Sequence, residues 1–402
     1  MASSVHAIES TEVTDTDLAE ARALIGTVLR NEQFNEVASV DTIRHFAWGA
    51  GDDNPLWCDA GYAVGTGFGS VLAPPTWLYS TSGNGVGPGL NGLHGYDIGG
   101  TWTWFRPVFE GDRIEAVIRM TGADQWRSRG AAPSGILQRA LVEYWNQRRE
   151  RVATLEMRTL RVARRGLQTG LRYEPRAEYE YSEEELSAIE ADVRAETRRG
   201  AAPLFADDVR VGETLVPVVK GPLDTMARTV WYAGCVGGPT YRGVELAWHD
   251  RILAREDPEK LPNNVWPASF YRGKVAASSG HANPDVAVSF GMPGAYDNGA
   301  RRASYILHCV TNWMGDAAFL RTYDVKLRRP VIDGDTMWCS GTVSGVGPGP
   351  VAGTGTVTVD LACTNQNGEL VSDGSCEVWL LARGAGSGAD TVWKLMQSEG
   401  AA

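Results

Sequence analysis

Gly51-Asp52-Asp53-Asn54-Pro55-Leu56-Trp57-Cys58-Asp59 is the stretch whose residue types could carry acid/base chemistry. It places three carboxylates around a turn-forming Asn-Pro, directly after the apolar segment from Ile43 to Trp48. A loop carboxylate beside apolar and aromatic neighbours has the surroundings that tune a pKa for proton transfer. Asp52 is the candidate general acid or base, its pKa expected to be raised by the apolar loop, and Asn54 is the amide that holds the turn. A second stretch, Gly280-His281-Ala282-Asn283-Pro284, echoes Gly51 to Pro55 with His281 at the Asp position. His94 lies in the Gly-rich stretch Gly83 to Gly100 and is a candidate for lining a site. His45 and His308 fall on helical patterns and read as structural.

These residues need a scaffold, and the composition bounds it. The chain has 402 residues, 43% hydrophobic and 22% charged, which is an ordinary globular composition with length for two or three domains. A net charge of −11 argues against a general nucleic-acid binder. No apolar run reaches transmembrane length, and the start, Met1-Ala2-Ser3-Ser4-Val5-His6, has no signal-peptide character, so no membrane is expected. Six cysteines without CxxC spacing read as reduced thiols of a cytoplasmic protein, with no zinc site.

The pattern of elements repeats. Residues 1 to 16 read as a loose tail, Leu18 to Leu29 as a helix, and Asp41 as a possible cap of the next. Pro75 suits the first turn of another helix. Strands are expected over Thr101–Phe105, Arg113–Met120, Ile136–Trp145 and Val152–Val162. Arg106-Pro107-Val108-Phe109-Glu110-Gly111-Asp112 recurs as Arg329-Pro330-Val331-Ile332-Asp333-Gly334-Asp335, an offset of 223. Asn146-Gln147 through Val152 recurs as Asn365-Gln366 through Val371, an offset of 219. Two matches in the same order argue for a duplicated unit. The clearest helix runs from Ala300 to Met314, with Ala303, Ile306, Leu307, Val310, Trp313 and Met314 as one apolar stripe. Between the copies, Ser182 and Glu185 form a capping box for a surface helix. Gly384 to Ala402 reads as a loose tail. Each unit is thus one apolar helix with about four antiparallel strands, an α+β arrangement. The expected boundaries are 18–165 for the first unit, 166–205 for a linker and 206–385 for the second.

Two stretches make the chain resemble the MaoC-like hydratases and dehydratases in their double hot-dog form. Gly51-Asp52-Asp53-Asn54-Pro55-Leu56-Trp57-Cys58-Asp59 is similar to the family's hydratase loop, G-D-x-N-P-x-H-x-D, and Val325 to Asp335 to its strand signature ending in P-V-x-x-G-D. The first half, with Ala73-Pro74-Pro75-Thr76 and Gly92-Leu93-His94-Gly95, is similar to the FAS1-like dehydratase domain. The resemblance implies a long helix wrapped by a sheet in each half, and addition or elimination of water on thioesters of coenzyme A or acyl carrier protein, with no metal or redox cofactor. Partners are then the thioester substrate and a second copy or a hot-dog partner subunit.

Trp57 departs from the family pattern, because it stands where the family has its catalytic His, and indole cannot transfer the proton. His281 is the candidate lender. It takes the Asp position when aligned on Gly51 to Pro55, and the loop-His position when aligned from Gly291-Met292-Pro293-Gly294. Asp52 and His281 then either share one composite site or occupy two separate half-sites. In the family a backbone N–H at the helix start holds the thioester carbonyl, which assigns that role to Gly299, preceded by Tyr296, Asp297 and Asn298. Asn54, Trp57, Tyr296, Asp297 and His94 are the expected substrate-binding residues, with Asp297 either a second carboxylate near the carbonyl or the N-cap of the helix that Gly299 opens. Arg301 and Arg302 are either solvated or turned to coenzyme A phosphates. The expected activity is that of a hydro-lyase on an acyl thioester. The alternatives are a biosynthetic tailoring enzyme (oxa-Michael cyclase, isomerase or thioesterase) and a non-catalytic subunit.

Overall fold

The computed structural model describes residues 12–82, 93–127, 135–163, 173–236, 280–289, 291–385 and 391–398, with a few isolated positions between them. Among the described residues, nine strands form one antiparallel sheet: β1 (Leu93–Trp104), β2 (Glu115–Trp126), β3 (Gly135–Trp145), β4 (Arg151–Ala163), β5 (Val218–Lys220), β6 (Phe319–Leu327), β7 (Met337–Pro348), β8 (Thr354–Asn365) and β9 (Leu370–Leu381). Their order is β2-β3-β4-β1-β6-β9-β8-β7-β5. The order 1-4-3-2 of the first half is repeated as 6-9-8-7 in the second. The halves join where β1 pairs with β6, from Gly99 opposite Lys326 to Thr103 opposite Thr322. This is a double hot-dog fold.

The duplication extends to individual hydrogen bonds. Asp112 accepts from the Phe109 N–H at 2.9 Å and from Gln147 Nε2 at 3.0 Å. Asp335 accepts from the Ile332 N–H at 2.8 Å and from Gln366 Nε2 at 2.7 Å. Asn146 Nδ2 donates to Glu150 and Asn365 Nδ2 to Glu369, each across a hairpin turn. Both turns take positive φ at the same position, which is Gly368 in the second and Arg149 in the first.

The helix Gly299–Met314 is wrapped by the second half, and every residue from Ala300 to Met314 is buried. A helix buried on all sides must satisfy its polar groups internally. Asn298 caps it, accepting from the N–H groups of Ala300 and Arg301 at 3.0 and 3.3 Å. Arg301 pairs with Asp297 at 3.3 Å, and Arg302 donates to Val371 O and Ser372 Oγ at 2.6 and 2.7 Å. Neither arginine is solvated or free for a phosphate. In the first half the corresponding helix starts at Pro75, as a 3₁₀ turn Pro75–Leu78 running into Tyr79–Ser82. It rests on an aromatic stack, in which Trp102 lies against Trp104 and Tyr144 at 5.2 and 5.4 Å and donates from Nε1 to Tyr79 Oη.

Several elements differ from expectation. The first helix is Asp15–Ala23, capped by Thr14; Gly26 at φ +89° turns the chain, and Leu29 pairs with Ile118 of β2 instead of continuing the helix. Ser39, not Asp41, caps the helix Val40–Gly49. β1 begins at Leu93, so His94 is a strand residue; the bulge between Asp97 and Gly100 absorbs the glycines. The C-terminal stretch carries a helix, Val392–Ser398, which buries Val392, Trp393 and Met396. Residues 1–11 of the expected tail, 83–89 and 91–92 of the Gly-rich stretch, 386–390 and 399–402 lie outside the described residues. The capping box of Ser182 and Glu185 forms as expected, and the helix Glu183–Ala195 packs on the second half, where Trp338 Nε1 donates to Asp192. Among the described residues no helix is long and apolar enough to cross a membrane.

Candidate active site

Asp52 is placed by the end of the helix Val40–Gly49. The N–H of Gly51 bonds to Trp48 O at 2.9 Å, and that of Asp52 to Ala47 O at 2.8 Å. This is a Schellman ending, and it needs Gly51 in the left-handed region, at φ +62°. The chain then turns through Asn54, which caps the short helix Pro55–Cys58 by accepting from the Leu56 N–H at 3.0 Å. The Asn54 N–H donates to Asp52 Oδ1 at 3.0 Å. Asn54 therefore holds the loop as expected.

The partner of Asp52 is His308, from the helix Gly299–Met314 of the other half. His308 Nε2 lies 3.2 Å from Asp52 Oδ1. The contact lacks full hydrogen-bond alignment, since Nε2 has no aligned acceptor. Both residues are buried, at 5% and 6% exposure for His308 and Asp52. The other ring nitrogen, Nδ1, lies 2.7 Å from Lys220 Nζ. Lys220 ends β5, and its Nζ also donates to Ala50 O and Gly51 O at 3.0 and 2.7 Å. The ammonium thus sits on the carbonyl end of the Val40–Gly49 helix, where a cation is favoured. Close packing fixes its strand: a Cβ on Gly221, at φ +131°, would fall 2.6 Å from Asp335 O.

Burial alone would push the Asp52 carboxyl up, but His308, Lys220 and the Asn54 N–H together hold it below its ordinary value. The raised pKa expected from the apolar loop is corrected accordingly: the neighbours from the second half outweigh desolvation. Burial lowers Lys220, opposed by the Asp52 charge.

Two cavities meet here. The inner one, about 280 Å³ of empty space, is lined by Asp52, Trp57, Thr76, Ser304, His308 and Thr311, among others. The larger, about 640 Å³, shares Trp57, Pro75 and Thr311 with it and extends along Phe68, Trp104 and Phe319. Trp57 therefore lines both the recess that holds Asp52 and His308 and the larger apolar pocket. Thr76, 3% exposed, offers the first N–H of its helix after Pro75, which has none.

The remaining predicted residues lie elsewhere. His281 turns Nδ1 to Tyr296 O at 2.8 Å, with its ring against Tyr232 and Tyr296. Tyr296 is buried and paired with Ile332, in a cluster with Ala287 and Met292. Asp297 pairs with Arg301 rather than capping the helix. His94 is buried on β1 with its ring 4.3 Å from Tyr96. Gly299 lies nine residues before His308, roughly 13 Å along the axis at the helical rise, with Asp97 against its Cα. Its N–H cannot serve a carbonyl held at the Asp52–His308 pair. None of these five residues lines either cavity.

His308 and Lys220 are the residues of this candidate site that sequence reasoning missed. A signal for His308 is present: Ser304, His308 and Thr311, spaced four and three apart, form a polar stripe on an apolar helix. Lys220 carries no such pattern; only the strand's placement brings it in.

Comparisons with known proteins agree with this architecture. A family model described as the FAS1-like dehydratase domain region matches residues 23–155. UPF0336 protein SCO4636 of Streptomyces coelicolor is 35% identical over 103 residues, covering 22% of this chain and 69% of the relative. Among solved structures, a MaoC-like dehydratase superposes with a TM-score of 0.57 at 16% identity, over 90% of this chain and 99% of the other. A putative MaoC domain protein dehydratase from Chloroflexus aurantiacus gives 0.52 at 13% identity, over 90% and 96%. RV0216 of Mycobacterium tuberculosis, described as having a double hot-dog fold, gives 0.50 at 11%, over 89% and 96%. The local matches carry the first half and the solved structures carry the fold of both, so the chain belongs with the proteins that have a FAS1-like dehydratase domain region and is built as a double hot-dog.

Proposed function

We propose that the protein is a hydro-lyase that adds water to, or eliminates it from, an enoyl thioester of coenzyme A or acyl carrier protein. The observation that carries this is the buried 3.2 Å contact between Asp52 Oδ1 and His308 Nε2, in a recess opening onto an apolar pocket. Hydration of an enoyl thioester needs one group to take a proton from water and another to protonate the α-carbon. Asp52 and His308 supply both, without metal or redox chemistry. His308 takes the place of the histidine that Trp57 replaces in the loop.

Asp52 Oδ1 is engaged by the Asn54 N–H and His308, which leaves Oδ2 for water. The acyl chain lies in the larger cavity along Trp57, and the N–H and hydroxyl of Thr76 face the enolate oxygen. The working unit is both halves, 18–165 and 206–385, because Asp52 comes from one and His308 and Lys220 from the other. The six cysteines are free thiols, which supports a reducing, cytoplasmic setting.

The test is a panel of enoyl thioesters followed by loss of the conjugated absorbance. Asp52→Asn and His308→Gln should each lower kcat by roughly 100-fold or more. Full activity in Asp52→Asn would refute the assignment.

A further inference from the structure

The contacts of Lys220 fix how the two proton transfers are divided, an inference that rests on the hydro-lyase reading. Lys220 is 6% exposed, and its Nζ faces three acceptor atoms: Ala50 O, Gly51 O and His308 Nδ1, at 3.0, 2.7 and 2.7 Å. An ammonium has three N–H donors and no acceptor, so this coordination is complete when Lys220 carries the proton. His308 Nδ1 is then the acceptor, and the ring is the neutral tautomer with its proton on Nε2, facing Asp52. The recess holds one anion and one cation, separated by a neutral imidazole.

We propose that Lys220 is a positioning residue that holds His308 as a neutral Nε2–H donor and supplies the relay's positive charge, so that Asp52 is the base and His308 the acid. In hydration Asp52 Oδ2 takes a proton from water, the water oxygen bonds to Cβ, and the electron pair of the double bond moves to the thioester oxygen. The enolate then collapses to the thioester as Cα takes the Nε2 proton, and a Lys220 Nζ proton moves to Nδ1. The imidazole ends neutral in its other tautomer, with Asp52 as carboxylic acid and Lys220 as amine. The recess is neutral before and after, so no unpaired charge is stranded in a buried site. The Asp52 proton passes to Nε2, the Nδ1 proton returns to Nζ, and the relay is reset. Without Lys220 the same step would leave an imidazolate.

The neighbours agree with this division of roles. Asp52 is held ionised by the groups around it. Lys220 also lies over the Tyr305 ring at 5.3 Å, a further contact that favours its charged form.

The experiment reads the tautomer directly, by ¹⁵N shifts of the His308 ring in the whole protein from pH 6 to 9, assigned by difference against His308→Gln. An unprotonated Nδ1 with a protonated Nε2 is expected throughout. A protonated Nδ1, alone or in an imidazolium, overturns the proposal, whether or not the enzyme turns over. Lys220→Gln keeps a hydrogen-bond donor without the charge, and Lys220→Met removes both. Where folded, each should lower kcat by roughly 100-fold with KM within about threefold, and add an acidic limb to the pH–rate profile. Wild-type kcat and an unchanged profile in folded Lys220→Gln would also overturn it. Absence of turnover with every enoyl thioester, alongside the expected tautomer, would reject the hydro-lyase reading and leave the Lys220–His308 geometry standing.

Discussion

Two histidines in this chain are set in opposite ways by their neighbours. His308 meets an ammonium at one nitrogen and a carboxylate at the other. His281 has a backbone carbonyl at Nδ1 and aromatic rings around it, and burial brings it down to about 4 from an ordinary 6.5. The folded chain therefore takes up that proton only below about pH 4, while the unfolded chain takes it up below 6.5. Unfolding binds the proton across that window, so His281 costs stability as pH falls from 6.5 to about 4. Below the lower value the cost is constant. Its size is roughly 1 to 3 kcal/mol, allowing for partial exposure of the residue. Replacing His281 with Asn should flatten the fall in urea midpoint between pH 7.5 and 5, with turnover retained, because His281 lines neither cavity. Loss of turnover at neutral pH in the folded His281→Asn variant would return that residue to the chemistry.

At the scale of elements, the loop from Gly51 to Cys58 works as a bracket whose two ends are fixed by different forces. Its start is the Schellman ending of the Val40–Gly49 helix, and its far end is the Asn54 cap of Pro55–Cys58. Gly51 is the sensitive point, since a side chain at φ +62° is strained and its Cβ would meet Lys220 Nζ at 3.3 Å. Gly51→Ala should cost roughly 1 kcal/mol of stability. It should lower kcat by more than that loss implies, because Asp52 and Lys220 are both displaced. Thermal melts beside steady-state kinetics check this; equal kcat with a lowered Tm would show that the bracket does not set the site. The loop's Asn-Pro turn and carboxylate were legible in the sequence because such chemistry is local. The strands β2, β3 and β4 and the helix up to Met314 were legible too, since their periodicities run long. The last part of β1, from Thr101, was read as a strand, but its first part, Leu93 to Gly100, was hidden by the glycines there, which the bulge between Asp97 and Gly100 absorbs. His308 was hidden because a short polar stripe on an apolar helix has the same pattern whether it is satisfied core or half of the proposed acid/base pair. What separates the two is the residue opposite, and that comes from the other half of the chain.

At the scale of the molecule, the site exists only because two copies of one unit are joined edge to edge. The join is narrow in backbone terms, from Gly99 opposite Lys326 to Thr103 opposite Thr322. Side chains reinforce it: Thr101 Oγ1 and Arg158 Nη2 donate to Asp324 at 2.6 and 2.7 Å, and Arg321 Nη1 donates to Trp104 O at 2.6 Å. On the helical side of the sheet, Tyr62 Oη donates to Asp316 at 2.6 Å, and Lys220 ties the second half to the carbonyls of Ala50 and Gly51. The main hydrophobic core is continuous across the join, with Trp57, Trp77 and Trp102 of the first half in one cluster with Ile306, Val310 and Phe319 of the second. The repeat in the sequence made two units legible, but it carries no information on which edges pair or which loop faces which helix. A shared core and shared polar contacts predict that neither half melts alone. Far-UV circular dichroism and tryptophan fluorescence should report one coincident urea transition, and Lys220→Gln should shift it as a whole rather than split it. Two separated transitions, with one half leaving before the other, would mean that the halves are stable units merely in contact, and that the pairing of Asp52 with His308 can open without unfolding either one.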